Sequence, residues 1–172
     1  MKEVLHLFAQ IALLRRGPQD LPASGLLLAL TVAAYLGVNT LVSAVFPPAK
    51  NWPPQLLVDV GFVLAWYAGL LRLVGRSERT LQTTTAVFGY QLMLAPLLIT
   101  SQWLAQRVHG DSTWEAPLAF LGLVLLVWLI AANSRILSAA LEWSITASVA
   151  LVILQTFIGE LLQLALFVHS KS

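Results

Sequence analysis

The sequence predicts an all-α, polytopic membrane protein with five transmembrane helices preceded by an amphipathic interfacial helix, and three observations carry that expectation. Hydrophobic residues make up 58% of the chain and charged residues 10%, where a soluble domain is about a quarter charged. Charge-free apolar runs recur along its length, and about 20 helical residues cover the ~30 Å hydrocarbon core. The run from Thr80 to Gln106 holds Phe88-Gly89-Tyr90-Gln91 and Ala95-Pro96 at its centre. At bilayer depth each of these polar or helix-breaking groups needs an internal partner, so this run belongs in the middle of a bundle. At 172 residues the chain is one domain. Residues 1–22 form the interfacial helix and its elbow, and residues 23–172 the bundle, with spans near 25–46, 55–75, 80–104, 116–134 and 139–168.

In chain order, Val4, Leu7, Phe8, Ile11 and Leu14 share one helical face opposite Lys2, Glu3, His6 and Gln10, the pattern of a membrane-surface helix. Glu3 and His6 interrupt the head that a signal peptide would need, and the apolar run before Arg15-Arg16 is too short. Pro18 and Pro22 end this helix, and Ser24 is placed to cap the next. In the first span Ala29, Ala33 and Gly37 recur every fourth residue; in the second, Gly61, Ala65 and Gly69 do the same. Small residues let helices approach closely, so these two spans are expected to pack as a tight pair. Between them Pro47-Pro48 and Pro53-Pro54 flank Lys50 and Trp52, a stiff hairpin at the headgroup level. In the third span Gly89 permits close approach of another backbone, and Pro96 frees the Leu92 carbonyl and is expected to kink the helix. The loop after it carries His109, Asp111 and Glu115, read as a solvated loop because one histidine and two flexible carboxylates lack the ligand density of a metal site. Asn133-Ser134-Arg135 interrupts the fourth run, and the last helix starts between Ile136 and Trp143.

Charge sets the expected orientation. With the amino terminus cytoplasmic, Lys2, Arg15, Arg16, Arg72, Arg76, Arg79 and Arg135 lie inside, against Lys50, Arg107 and Lys171 outside. That bias obeys the positive-inside rule and puts the carboxyl terminus outside, in a bacterial inner membrane. The chain has no cysteine, hence no disulfide and no thiolate site. No basic strip interleaved with aromatics suggests nucleic acid.

Five residues form the candidate polar cluster within the membrane: Asp59, Tyr90, Gln91, Gln155 and Glu160, with Thr156 and Gln163 able to complete it. Intramembrane carboxylates are functional candidates by default, although hydrogen bonding that fixes helix packing is the competing use of such groups. Glu142 and Glu160 are read as marking two ends of the last helix, with Arg72, Arg76 or Arg135 as partners for Glu142. His6, His109 and His169 all fall outside the spans, as do Lys2, Lys50 and Lys171. No catalytic, cofactor-binding or metal site is therefore expected, and the chain reads as non-enzymatic.

Phe88-Gly89-Tyr90-Gln91 with the downstream Ala95-Pro96 resembles the Gly-Tyr and proline pattern in the third span of the Yip family, five-span membrane proteins related to Rab-interacting factors. The resemblance covers the five-span plan from Gly25 to Val168, with Gly89, Tyr90 and Pro96 at the matching positions. It implies a membrane-organising or adaptor protein acting through a membrane-protein partner or as a homo-oligomer. This chain lacks the long acidic cytosolic amino terminus associated with Rab partners, so the resemblance carries no such partnership here. The alternative expectation is a small transporter or channel subunit with Asp59 and Glu160 in an ion or proton path.

Overall fold

The computed structural model describes residues 2–45, 52–108 and 112–167, and these form six helices. They are α1 (Lys2–Ala12), α2 (Gly25–Val45), α3 (Trp52–Leu73), α4 (Thr80–Arg107), α5 (Ser112–Leu141) and α6 (Ile145–Phe167), with short 3-10 turns at Pro18–Asp20 and Ser77–Arg79. Five of them, α2 to α6, are long and apolar enough to cross a bilayer. The long apolar residues they expose, such as Leu26, Phe120 and Phe157, would be left in water by a soluble protein but suit contact with acyl chains.

α4 is the central element. Residues Thr83 to Tyr90 are buried on every face of the helix. α2, α3, α6 and α5 follow one another around it as an open ring, in which α2 packs most extensively on α4, and α6 on α5. Short connections make consecutive spans antiparallel, so the α3–α4 and α5–α6 turns meet at one end, called here the basic end. There the core closes on Tyr67, Leu71, Val87, Phe88, Leu137 and Leu141, all almost wholly removed from solvent. α4 runs unbroken through Pro96, which lies on the exposed side of the helix. Side-chain hydroxyls bond back into its turns, from Thr83 to the Arg79 carbonyl at 2.8 Å and from Thr100 to the Pro96 carbonyl at 2.7 Å.

Several helix limits differ from those expected. Pro53 and Pro54 belong to the first turn of α3 rather than to the preceding hairpin, because a helix's first N–H groups are unpaired anyway and proline loses little there. Residues 46–51 of that hairpin lie outside the described residues, as do His109, Asp111 and the tail from Val168 on. Glu115 is helical, in the first turn of α5. Asn133-Ser134-Arg135 interrupts nothing: α5 continues to Leu141, with Asn133 accepting from Tyr67, Arg135 donating to the Leu14 carbonyl of the elbow, and the Ser134 hydroxyl buried without a hydrogen-bond partner. The break falls at Glu142–Ser144, where Glu142 takes a left-handed φ of 57° after the helix end. Ser144 then caps α6, its Oγ accepting from the Ala147 N–H at 3.3 Å. Glu142 thus stands in a turn, not on the last helix with Glu160. Ser24 caps α2 as expected, accepting from the Leu27 N–H at 3.3 Å.

The amphipathic face of α1 rests on protein. Phe8, Ile11 and Ala12 are buried against α4 and α5, while Lys2, Glu3 and His6 stay exposed. The Phe8 ring lies directly over Gly89, where a methyl group would collide with it. Gly89 therefore admits a side chain of α1 rather than another span's backbone. The elbow is fastened by side-chain donors aimed at backbone carbonyls at the end of α1 and in the segment that follows it. Trp128 Nε1 donates to the Ala12 carbonyl at 2.8 Å, Arg135 to Leu14 at 3.2 Å, and Gln82 to Leu21 at 2.7 Å.

The two small-residue stripes do not pair. Ala29, Ala33 and Gly37 face outward from α2, and Gly61, Ala65 and Gly69 outward from α3, with open space beside all three glycines. α2 leans on α4 instead, through the face carrying Thr31 and Tyr35, and Tyr35 meets Phe88 edge-on at 5.1 Å. Spacing alone marks a stripe as small but does not say which way it points.

Candidate functional site: a polar cavity among the spans

Away from the basic end the ring opens around a cavity of about 450 Å³, within the 300–1,000 Å³ typical of ligand sites. All five spans line it. Asp59, Tyr90, Gln91, Gln155 and Glu160 are all on its wall, as are Thr156 and Gln163. Tyr35, Asn39, Gln102 and Asn133 join them, and among the described residues no lysine, arginine or histidine lines it.

The register between α3 and α6 explains why the two acids share one level. Gln163 Nε2 donates to the Gln55 carbonyl at 3.0 Å, pairing the two antiparallel helices near their far ends. One turn further in, α3 presents Asp59 and α6 presents Gly159 and Glu160. Gly159 is small enough to let the Phe62 ring settle against α6; a methyl there would lie 3.2 Å from Phe62 Cε1. Tyr35 of α2 donates its hydroxyl to Asp59 Oδ2 at 3.3 Å. A carboxylate offers about four acceptor positions, and this bond occupies one. Asn39, one turn above Tyr35, folds back on the Tyr35 carbonyl at 2.9 Å.

The inner wall is built of amides and phenols. Tyr90 is buried in it, and Asn133, also on the wall, accepts from the hydroxyl of the buried Tyr67 at 3.1 Å. This bond accounts for an asparagine within α5. Gln155 is only 7% exposed, yet its Oε1 has no hydrogen-bond partner; Gln163 Oε1 is in the same condition. Both oxygens are closed to solvent, so the acidic character of the wall comes from the two carboxylates. The remainder is apolar, including Val38, Val42, Leu98, Ile99 and Leu126.

The basic end carries the other charged cluster. Arg76 and Arg79 both reach Glu142, with N–O distances of 2.6 and 2.7 Å. Arg79 also donates to the carbonyls of Ala139 and Ala140 at 3.1 and 3.3 Å, the orphan acceptors of the last turn of α5. Of the partners expected for Glu142, Arg76 serves and Arg135 goes to the elbow; Arg79 is the one not foreseen. The hydrogen bonds from Arg76, then Arg79, hold the Glu142 carboxyl down to about 2 from its ordinary 4.5. This clasp ties the α3–α4 turn to the α5–α6 turn.

Tyr35, Asn39, Gln102 and Asn133 are the polar cavity residues that the sequence reading does not place in the cluster. Tyr35 and Asn39 stand four apart in an otherwise apolar span, which places them on one helical face and was the available signal. Among the described residues, no three histidines, aspartates or glutamates gather as a metal site would require. No protein-family model, no curated protein and no solved structure matches this chain.

Proposed function

We propose that the chain is a small carrier or channel-type membrane subunit that admits a cation or proton to the cavity at Asp59 and Glu160. One observation carries the reading: the only two acids inside the described α3 and α6 line the same cavity at the same level, with no basic residue among the described lining residues. Charged groups at membrane depth are costly and are usually kept where they face an ion path or one another. By the positive-inside rule the basic end, with Arg76, Arg79 and Arg135, faces the cytoplasm of a bacterial inner membrane. The cavity then opens toward the outside.

The test is flux. Full-length protein reconstituted in liposomes with an internal pH dye and an imposed cation gradient should dissipate that gradient. Asp59→Asn and Glu160→Gln should each slow the dissipation, with the double variant at the rate of empty liposomes. Wild-type rates equal to those of empty liposomes would refute the reading.

A second reading, a membrane-organising adaptor, has its own support in the outward stripes of α2 and α3. Gly61, Ala65 and Gly69 offer a smooth helix face to a partner span within the bilayer. Such an adaptor would tolerate Asp59→Asn and Glu160→Gln in any assay of its partner, but not the ridge that Gly61→Leu or Gly69→Leu would raise on that face.

A further inference from the structure

The elbow after α1 gathers cations beside an apolar face of α5. We infer that this corner binds an anionic phospholipid of the leaflet at the basic end, with its phosphate between Arg15 and Arg135 and an acyl chain along Val124 and Trp128. The surface is separate from the cavity, which none of these four residues lines.

Depth, charge and shape each point to that occupant. α5 is 30 residues long, about 45 Å, and outruns the ~30 Å hydrocarbon core. Counted from Trp114 and Glu115 in its first turn, a span of about 20 residues ends at Arg135, so that guanidinium stands at the headgroup level. Arg135 Nη2 lies 3.2 Å from the Leu14 carbonyl, on the peptide bond that joins Leu14 to Arg15, and the two arginines therefore meet at one corner. That contact takes one of the five N–H donors of Arg135. The Arg15 side chain is exposed and, among the described residues, has no hydrogen bond or ion pair. Asp20 is the only acid of the elbow, residues 13–24, and it is engaged by Arg16 at 3.6 Å and by the Gly17 N–H at 3.2 Å. Glu142 is held by Arg76 and Arg79, and Glu3 stands at the opposite end of α1. The corner is thus positive, and guanidinium donors match a phosphate's oxygens in geometry as well as charge. A phosphatidylcholine would bring its own cation beside them, which selects against it. Finally, Val124 and Trp128 share the helical face of Arg135 and are exposed, and the Trp128 ring is held at the elbow by its bond to the Ala12 carbonyl. They give an acyl chain a path from the phosphate into the bilayer.

Fluorescence anisotropy of acyl-labelled phosphatidylglycerol or phosphatidylcholine, titrated with the full chain in a non-ionic detergent, tests this. Phosphatidylglycerol should bind saturably and roughly 25-fold more tightly, the size expected from two arginines at a membrane surface, and sodium chloride should weaken it. Arg15→Gln and Arg135→Gln should each lower its affinity roughly fivefold without changing that of phosphatidylcholine, and the double variant should bind the two lipids alike. Should Arg135→Gln loosen the elbow and fail to fold, Arg15→Gln, whose side chain bonds nothing, carries the test alone. Arg72→Gln, exposed at the same end of the bundle on α3, should bind as wild type. Equal affinity for the two lipids, or a preference that survives Arg15→Gln undiminished, would overturn the inference. An equal loss in Arg72→Gln would also overturn it, since the attraction would then belong to the whole basic end. Sodium phosphate should displace the lipid no more than sodium chloride of equal ionic strength; greater displacement would assign the corner to a free phosphate instead.

Discussion

At the basic end α3, α4 and α5 close on one another through Tyr67, Leu71, Phe88 and Leu137, and the two turns there are bound by Arg76, Arg79 and Glu142. Toward the other end the same helices part around a cavity, where α3 meets α6 through the hydrogen bond from Gln163 to the Gln55 carbonyl and the Phe62 ring over Gly159. The difference follows from side-chain chemistry. The closed end fills its interior with Leu, Val, Ile and aromatic rings and satisfies its helix ends with guanidinium groups. The open end sets carboxylates and amides facing inward, which cannot pack without partners. A bundle closed at one end and open at the other is the shape that the proposed entry of a cation from one side requires.

Substitutions should separate the two ends by size of effect. Leu71→Ala, at a fully buried position of the closed end, should lower stability by about 2–5 kcal/mol in denaturant unfolding of the detergent-solubilised protein. Leu98→Ala, on the wall of an existing cavity, should cost distinctly less, since less packing is lost. Equal costs would mean that the ends do not differ in packing. Gly89→Ala comes next, at about 1–3 kcal/mol, because the added methyl meets the Phe8 ring. In a Phe8→Ala background that penalty should largely vanish; a persistent penalty would show that α1 does not rest there.

The clasp should give the smallest effect and a pH signature. Because the folded carboxyl of Glu142 sits at about 2 rather than 4.5, its contribution is complete above about 4.5 and is lost as pH falls toward about 2. The stability difference between wild type and Glu142→Gln should therefore shrink across that window. A difference independent of pH would mean that the clasp acts by shape alone.

The all-α class and the five spans were legible in the sequence because charge-free runs of span length are a strong signal. The burial of Thr83 to Tyr90 follows from glycine, phenol and amide groups sitting where lipid cannot satisfy them. The five polar residues on α3, α4 and α6 were legible for the same reason. What was not legible depends on rotation about a helix axis. Gly61, Ala65 and Gly69 form a stripe whether they face a helix or a lipid, and only the packing of α2 on α4 settles which. Asn133-Ser134-Arg135 reads as a turn in one dimension, whereas in three dimensions Tyr67 pairs with Asn133 and the Leu14 carbonyl with Arg135.

The absence of native cysteine makes site-directed labelling the most direct test of a solvated, acidic cavity opening at the end away from Arg76 and Arg79. Gln91→Cys, on the wall, and Ser134→Cys, fully buried near the basic end, would be treated in proteoliposomes with a cationic and with an anionic methanethiosulfonate reagent. The account predicts that Gln91→Cys reacts, faster with the cationic reagent, and that Asp59→Asn reduces that preference, while Ser134→Cys stays unreactive. An unreactive Gln91→Cys, or one that favours the anionic reagent, would contradict it.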